Sequence, residues 1–484
     1  MSVLKDKFFH LVVLVLSALD VIYLGWCWEG ILITGAAGSG KSSCSGRQLA
    51  LGMLKAVPEL GVLVLTAKAE ETRNWIRYAK ECGREDDLIV FNAESGHCFD
   101  PLYYEWTRPG RGAGDLESII DLFSTLVSIG KKEVGHGHDP FWERGNEQLM
   151  RNVIKLLDLA GERISIASID RVIKSLPTRP DQHEEAAWQE ESYCARLINS
   201  IRARQDTLTP EQWSDLDFAT QFIFKKWPAF DERPRSSLEM TWSGMADKFL
   251  FNPLHRIFCS GKCTFTPEMA MNKHKIILCD FPLLEYGDET GTLVNVLLKL
   301  IFQRAWLRRN LEDSPNPQLL WQDEFQYFIT RRDNFFQQTC RGSRVAVVLL
   351  TQNINNLSEA LGEPQSGSKT KSFLGNLAIK IFHQQNDTET CQYAADQIGR
   401  EYVYLENFSG GGSTATNQAH FSSGASRQLA HIVEPVVFTR LRKPDSLSPL
   451  SEAIVYQSGR TFQASVTQRN PKGSNYLPVV FSRE

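Results

Sequence analysis

Gly30-Ile31-Leu32-Ile33-Thr34-Gly35-Ala36-Ala37-Gly38-Ser39-Gly40-Lys41-Ser42-Ser43 is the stretch whose reading decides the fold. Gly30 to Thr34 reads as a short buried strand covered on both faces. Gly35 to Ser42 matches GxxxxGK[ST] in full, and Ser42 to Leu54 has helical spacing, which is the context the pattern needs. Glycines let successive N–H groups curl around phosphate oxygens, and the N-terminus of the following helix adds positive potential. The candidate nucleotide-binding set is therefore Gly35, Ala36, Ala37, Gly38, Ser39, Gly40, Lys41, Ser42 and the adjacent Ser43. Lys41 is placed to neutralise the terminal phosphates of ATP, and Ser42 to ligate Mg2+.

On the C-terminal side, Gly61–Thr66 and Leu88–Asn92 are further continuous apolar runs, separated by a helix from about Glu70 to Cys82. Strands of this kind alternating with amphipathic helices indicate an α/β fold, a RecA-like P-loop domain with a mainly parallel central sheet flanked by helices. From Asp139 to Phe230 only helical patterns occur, among them Asn146–Leu159, Glu190–Arg204 and Glu211–Lys226, so an all-helical inserted domain is expected. Asp139 reads as its first cap, with Pro140 at the first helical position. The β/α alternation resumes at Lys275–Phe281, a helix follows from about Gly291 to Arg309, and then come the strands Gln318–Trp321, Val345–Thr351 and Leu377–Phe382. The expected divisions are 1–29, an N-terminal apolar segment; 30–138 and 236–466, two parts of the nucleotide-binding domain; 139–235, the helical insert; and 467–484, a tail. Ser409–Ser426, rich in Gly, Ser and Thr, reads as a mobile loop. Ala453–Tyr456 and Thr461–Val466 read as a hairpin around Ser458-Gly459, and the chain beyond Asn470 as extended.

A phosphate loop needs carboxylates across the sheet. Gln318 to Glu324 (QLLWQDE) supplies them at the end of a strand, although Gln322 is polar where an apolar residue is expected. Asp323 is assigned to the Mg2+ shell, and Glu324 to polarising the attacking water. Gln352, at the end of Val345–Thr351, is the candidate sensor of the γ-phosphate. Arg341, with Arg344 as second choice, is the candidate arginine supplied to a neighbouring subunit's site, where it would stabilise transition-state charge. Lys369 and Lys371, and Lys225-Lys226 beside Trp227, are candidate contacts to a DNA backbone and its bases.

Composition constrains the rest. Hydrophobic residues make up 42% and charged residues 23% of the 484, as in a globular protein with a large core. A net charge of −4 argues against a chain that coats DNA indiscriminately, and confines such contacts to a local surface. The ten cysteines include no CxxC pair, which suits a reducing cytoplasm. His255, Cys259 and Cys263 recur every four residues and could share one helical face, but three ligands without a fourth read as buried small residues rather than as a metal site. Phe8–Leu24 is apolar enough for two readings: a short anchor tethering a cytoplasmic motor to the inner membrane, or a buried helix followed by the strand Val21–Leu24.

Taken together, the motifs resemble the conjugative DNA-transfer coupling ATPases of type IV secretion, the TraG/TraD class within the HerA/FtsK group of translocases. The resemblance spans about residues 30 to 460. It is carried by the phosphate loop, by LVLTAKAEE (63–71), FNAESGHCFDPL (91–102) and DPFW (139–142), and by NEQLMRNVIKLL (146–157). Arg235-Ser236-Ser237, Ser243-Gly244-Met245, LLWQDEF (319–325), TQNINNL (351–357), NLAIKIF (376–382) and NDTET (386–390) complete it. Two departures stand out. Thr66 occupies a position where the family often has Asp, and only 34 residues precede Gly35, room for one short anchor where the family usually has two membrane helices and a periplasmic part. The resemblance implies an ATP- and Mg2+-dependent homohexamer that moves DNA, single- or double-stranded, in contact with a secretion channel or nucleoprotein complex. Two alternatives are a secretion adaptor recruiting protein substrates and a soluble HerA-like ATPase of DNA processing or defence.

Overall fold

The computed structural model describes residues 6–130, 140–363, 367–413, 418–468 and 470–483. Among these the strands are, in chain order, β1 (Val12–Val15), β2 (Val21–Tyr23), β3 (Ile31–Thr34), β4 (Gly61–Leu65), β5 (Leu88–Phe91), β6 (Ile276–Cys279) and β7 (Gln318–Gln322). They continue with β8 (Val345–Thr351), β9 (Ile379–Phe382), β10 (Arg400–Ser413), β11 (Gln418–His431), β12 (Leu450–Gln457) and β13 (Tyr476–Ser482). The chain divides into two compact units: Met1–Val64, Arg73–Asp87 and Arg309–Glu484 form one, Leu65–Thr72 and Leu88–Arg308 the other.

The first unit is built on a sheet with the order β13-β12-β9-β3-β8-β7-β4. β3 runs parallel to both β8 and β9, and β7 runs parallel to β8. β12 and β13 close that side as antiparallel strands. Every residue of β3, β4, β7, β8 and β9 is buried, which is why these segments are continuously apolar rather than alternating. The expected α/β core is therefore present, with its strands where the apolar runs lie.

Three expectations for this unit are corrected. Residues 12–23 form an antiparallel hairpin of β1 and β2: the expected strand is present as β2, and β1 stands where a helix was expected. No helix among the described residues is long and apolar enough to cross a membrane. β-branched Val12, Val13, Val15, Val21 and Ile22 favour strands, and Ser17 turns the chain by accepting from the N–H groups of Leu19 and Asp20. The hairpin backbone packs so closely on the helix Arg47–Ala56 that a Cβ on Gly52 would lie 1.9 Å from the Val13 carbonyl oxygen. Asp20 is fully buried: its carboxylate accepts from Arg460 Nη2 (3.1 Å) and from the backbone N–H groups of Gln463 (2.9 Å) and Ala464 (2.8 Å). Second, the stretch 409–426 is largely strand: β10 and β11 pair from Arg400↔His431 to Ser413↔Gln418. The β-branched and aromatic run Tyr402 to Leu405 favours strand, and the pairing continues through residues whose composition alone suggested a loop. Third, the partner of β12 is β13 and not 461–466, where a short turn held by Asp20 stands instead.

The second unit contains the parallel pair β5–β6 and the helices, including Pro140–Ala160, Ile166–Lys174, Tyr193–Arg202, Pro210–Gln221, Glu232–Leu250 and Asp288–Arg308. Asp139, read as a cap, lies outside the described residues. The expected helix 190–204 is interrupted at Ser192, whose hydroxyl caps Tyr193–Arg202 by accepting from Ala195 N. Trp227 is fully buried, so it belongs to the core and is not a stacking platform, while Lys225 and Lys226 beside it are exposed. The helix carrying His255 ends at Phe258, and Cys263 sits in an antiparallel bridge with Phe99, so the three residues do not share a helical face. No group of His, Cys, Asp or Glu among the described residues is arranged to hold a metal. Thr66 donates to the Cys279 carbonyl (2.9 Å), a structural contact that accounts for the hydroxyl at this position.

Asp20→Ala leaves the Arg460 guanidinium and two N–H groups without their acceptor. It is expected to lower unfolding free energy by about 3 kcal/mol, read as a shift in the urea midpoint at unchanged slope.

Candidate functional site

The phosphate loop leaves β3 at Gly35 and is shaped by its neighbours in the sheet. Ala36 N donates to the Gln384 carbonyl at 2.8 Å. The Gln385 side-chain oxygen accepts from Thr34 Oγ1 (2.9 Å) and Gly35 N (3.1 Å), and its amide nitrogen donates to the Gln352 carbonyl (3.1 Å). Gly38 and Gly40 have φ of 73° and 92°, a left-handed backbone that glycine adopts without strain. At Gly40 a side chain would also meet Ser451, 2.8 Å away. Beyond the loop, Lys41–Gly46 forms a widened helical turn that leads into Arg47–Ala56. Ser43 turns away toward Cys44 Sγ.

Across the sheet, β7 delivers the two acids. Ser42 Oγ donates to Asp323 Oδ1 at 3.3 Å, joining residues 281 positions apart in the chain. Lys41 Nζ stands 3.8 Å from Glu324 Oε1, with both side chains nearly buried. Glu324 itself is left-handed (φ 49°, ψ 51°), a conformation costing a non-glycine residue roughly 1–3 kcal/mol. That turn aims its carboxylate back over the sheet, where two amides hold it: Gln326 Nε2 donates to Oε2 (2.8 Å) and Gln352 Nε2 to Oε1 (3.3 Å). Thr351 Oγ1 in turn donates to Gln326 Oε1 (2.9 Å). Lys41, Ser42, Asp323, Glu324 and Gln352 thus converge as the sequence indicated. Gln326 and Gln385 are additional members with no motif to mark them.

The two arginines lie elsewhere. Arg341, half-exposed, precedes β8, at the end of that strand remote from Gln352, and pairs with Glu29 at 2.8 Å. Arg344 is paired with Asp6 and donates to the Pro315 carbonyl (2.7 Å), which ties it to the fold. Lys369 and Lys371 are exposed on the helix Ser368–Gly375. The TQNINNL and NDTET segments meet directly: Asn355 Nδ2 donates to Asp387 Oδ1 (3.0 Å) and Ile354 N to Thr390 Oγ1 (3.1 Å).

A buried chain of polar groups behind the loop was not foreseen. Ser451 Oγ donates its proton to the Ser39 carbonyl (2.7 Å), so it accepts from His383 Nδ1–H (2.8 Å). His383 Nε2 is then left to accept from Ser45 Oγ (2.7 Å). Burial above all, and then the Lys41 charge, push the His383 imidazole down to about 3, so it is neutral, as this chain of bonds requires. Lys443 Nζ approaches the Ala37 carbonyl at 3.4 Å from the same C-terminal region. The only sequence signal for His383 is its position directly after a buried strand.

A glycine loop between a buried strand and a helix, facing an acidic pair two strands away, defines a RecA-like P-loop fold. Within it, residues 317–443 match the family described as the TraM recognition site of TraD and TraG. The whole chain is similar to solved structures of a conjugative coupling protein. TrwBdeltaN70, unbound, has a TM-score of 0.58 at 14% identity, over 96% of this chain and 87% of that one. TrwB with the GTP analogue GDPNP has a TM-score of 0.57 at 13% identity, over 99% and 91%. TrwB with ADP and Mg2+ has 0.56 at 13%, over 96% and 87%. At these identities the likeness is one of fold. No curated protein matches the sequence. The resemblance drawn from the motifs is thus supported by a family match in the second part of the nucleotide-binding domain and by the architecture of the whole.

The imidazole also carries a pH dependence. The folded chain keeps His383 unprotonated down to about 3, whereas the unfolded chain takes up a proton below about 6.5. Its contribution is therefore intact above the higher value and is lost as pH falls toward the lower. Between about pH 7.5 and about pH 5 the wild type should lose about 2 kcal/mol more than His383→Gln, as measured by urea unfolding at both pH values. Equal losses would assign the acid sensitivity to another group.

Proposed function

We propose that this chain is an ATP-hydrolysing motor of the coupling-protein class, working as a ring of identical subunits that moves DNA. The observation that carries the reading is the meeting of Ser42 with Asp323, 281 positions apart in the chain, and of Lys41 with Glu324 beside them. The donor set fits a nucleotide with Mg2+. A serine hydroxyl beside a carboxylate is the oxygen pair that Mg2+ prefers. Ser39 Oγ is buried at the loop without a hydrogen-bond partner among the described residues, which leaves it available to a phosphate oxygen. The TrwB structures with GDPNP, and with ADP and Mg2+, support the same ligand class.

ATP with Mg2+ supplies the activated phosphoryl group when bound. Lys41 brings a positive charge held in place by Glu324, and the loop N–H groups orient phosphate oxygens. Glu324, fixed by Gln326 and Gln352, is the group suited to take a proton from water. Gln352 bonds that same carboxylate and so can relate the state of the phosphate site to the base. Arg341, remote from its own subunit's loop, is assigned to the neighbour's site, and Glu29 is its resting partner. Residues 30–138 and 236–466 form the motor, with 139–235 inserted between them. Lys369 and Lys371 are assigned to DNA, and the segment 317–443 to docking a nucleoprotein partner or secretion channel.

Lys41→Ala should lower ATP turnover at least about 100-fold, and Glu324→Gln should retain ATP binding while turnover falls about 10²- to 10⁴-fold. ATPase rates with single-stranded, duplex and no DNA, together with mass photometry under the same conditions, test the rest. Stimulation by DNA and ring formation are expected. Normal turnover by either variant would sink the site assignment, and a rate indifferent to DNA would sink the motor.

A further inference from the structure

Two motifs left unused by the nucleotide site meet in the second unit: the FNAESGHCFDPL loop and the His255–Cys263 segment. Between them lies a cavity of about 480 Å³, lined by Ala93, His97, His255, Arg256, Ser260 and Lys262 among others. Its volume is that of a small-molecule site. We propose that this cavity binds a phosphoryl group carried by a ligand of about mononucleotide size.

The walls are fixed before any ligand arrives. Asn92 Oδ1 accepts from Glu94 N (3.1 Å) and Ser95 N (2.8 Å), and Asn92 Nδ2 donates to Asp280 (2.9 Å), which pins the loop to the end of β6. The second wall is stitched to the first: Phe99 N donates to Ile257 O, Asp100 N to Lys262 O and Thr264 N to Cys98 O. Arg256 Nη2 donates to Ala93 O (2.8 Å), so this guanidinium spans the cavity.

Charge selects the ligand. Arg256 and Lys262 are cations, His97 and His255 add ring nitrogens, and no carboxylate is among the described residues that line the cavity. Among the described residues, the side chains of His255 and Lys262 have no hydrogen-bond partner, and Arg256 keeps further N–H groups beyond the one given to Ala93. The nearest buried acid, Asp100, is already satisfied by Arg163 (2.8 Å), Gly261 N (2.9 Å) and the N–H groups of Leu102 and Tyr103. Glu94 accepts from Tyr286. Burial pushes the Cys259 thiol up to about 12, so it stays neutral and does not offset the positive charge. Cationic donors with N–H groups to spare around one cavity are what a phosphate's oxygens require, and charge-assisted bonds to them are the strong kind.

The test uses the full chain in a Lys41→Ala background, so that the phosphate loop does not compete. The probes are inorganic phosphate, AMP and a short single-stranded oligonucleotide with or without a 5′-phosphate, titrated by calorimetry or anisotropy. Saturable binding is expected, weakened at least about tenfold by Arg256→Gln combined with Lys262→Gln. Lys262→Gln alone, which removes no bond of the folded chain, should weaken it in the same direction. Tighter binding of AMP identifies a free nucleotide as the source, and tighter binding of the 5′-phosphorylated strand a nucleic-acid end. Binding unaffected by these substitutions, or no saturable binding of any probe, overturns the proposal. Neither outcome bears on the motor reading, which rests on a different site.

Discussion

Two adjacent carboxylates, Asp323 and Glu324, are 3% and 1% exposed, and the site depends on how their charge is met. Unpaired buried charges of like sign are among the costliest features a fold can carry. Here Lys41 faces one and the Ser42 hydroxyl the other. β8 lies between β3 and β7, so the loop and the acids start about 10 Å apart, two strand spacings. The lysine stem crosses part of that distance. The left-handed turn at Glu324 crosses the rest, and the strain of that turn is sustained by the amides of Gln326 and Gln352. Gln352 comes from the strand in between, which is why one polar residue at the end of β8 touches the centre of the site.

Much of this was legible because it is local or chemically distinctive. A glycine loop with its lysine, an acidic pair after an apolar strand and a polar residue ending another strand each announce themselves within about ten residues. Continuous apolar runs fixed the core strands because burial on two faces erases alternation. What escaped depends on pairing at long range. Ser451 is an ordinary serine until β12 is placed beside β9, and His383 is an ordinary histidine until Ser45 and Ser451 close on it. The C-terminal hairpin was assigned to the nearer segment because a turn signal at Ser458-Gly459 carries no information about which strand returns.

The N-terminal hairpin is hidden in the sequence for a different reason. Short apolar runs do not distinguish helix from strand by periodicity alone. Asp20, a lone acid in an apolar segment, is the residue that organises it, gathering Arg460 and the backbone of 463–464 around one carboxylate. In the 409–426 stretch composition outweighed pattern: glycine and serine suggested a loop, whereas the register with β10 carries the pairing through them.

The support behind the phosphate loop has a temporal side. Ser451, whose hydroxyl holds the Ser39 carbonyl, lies 412 positions downstream of it. At a translation rate of about 5–20 residues per second, roughly 20 to 80 seconds separate the synthesis of the two. During that interval the nascent chain already carries its glycines and Lys41 but not the groups that fix their shape. A growing polypeptide therefore cannot possess the finished nucleotide pocket, and competence for fuel arrives only as its distant sheet edge is made.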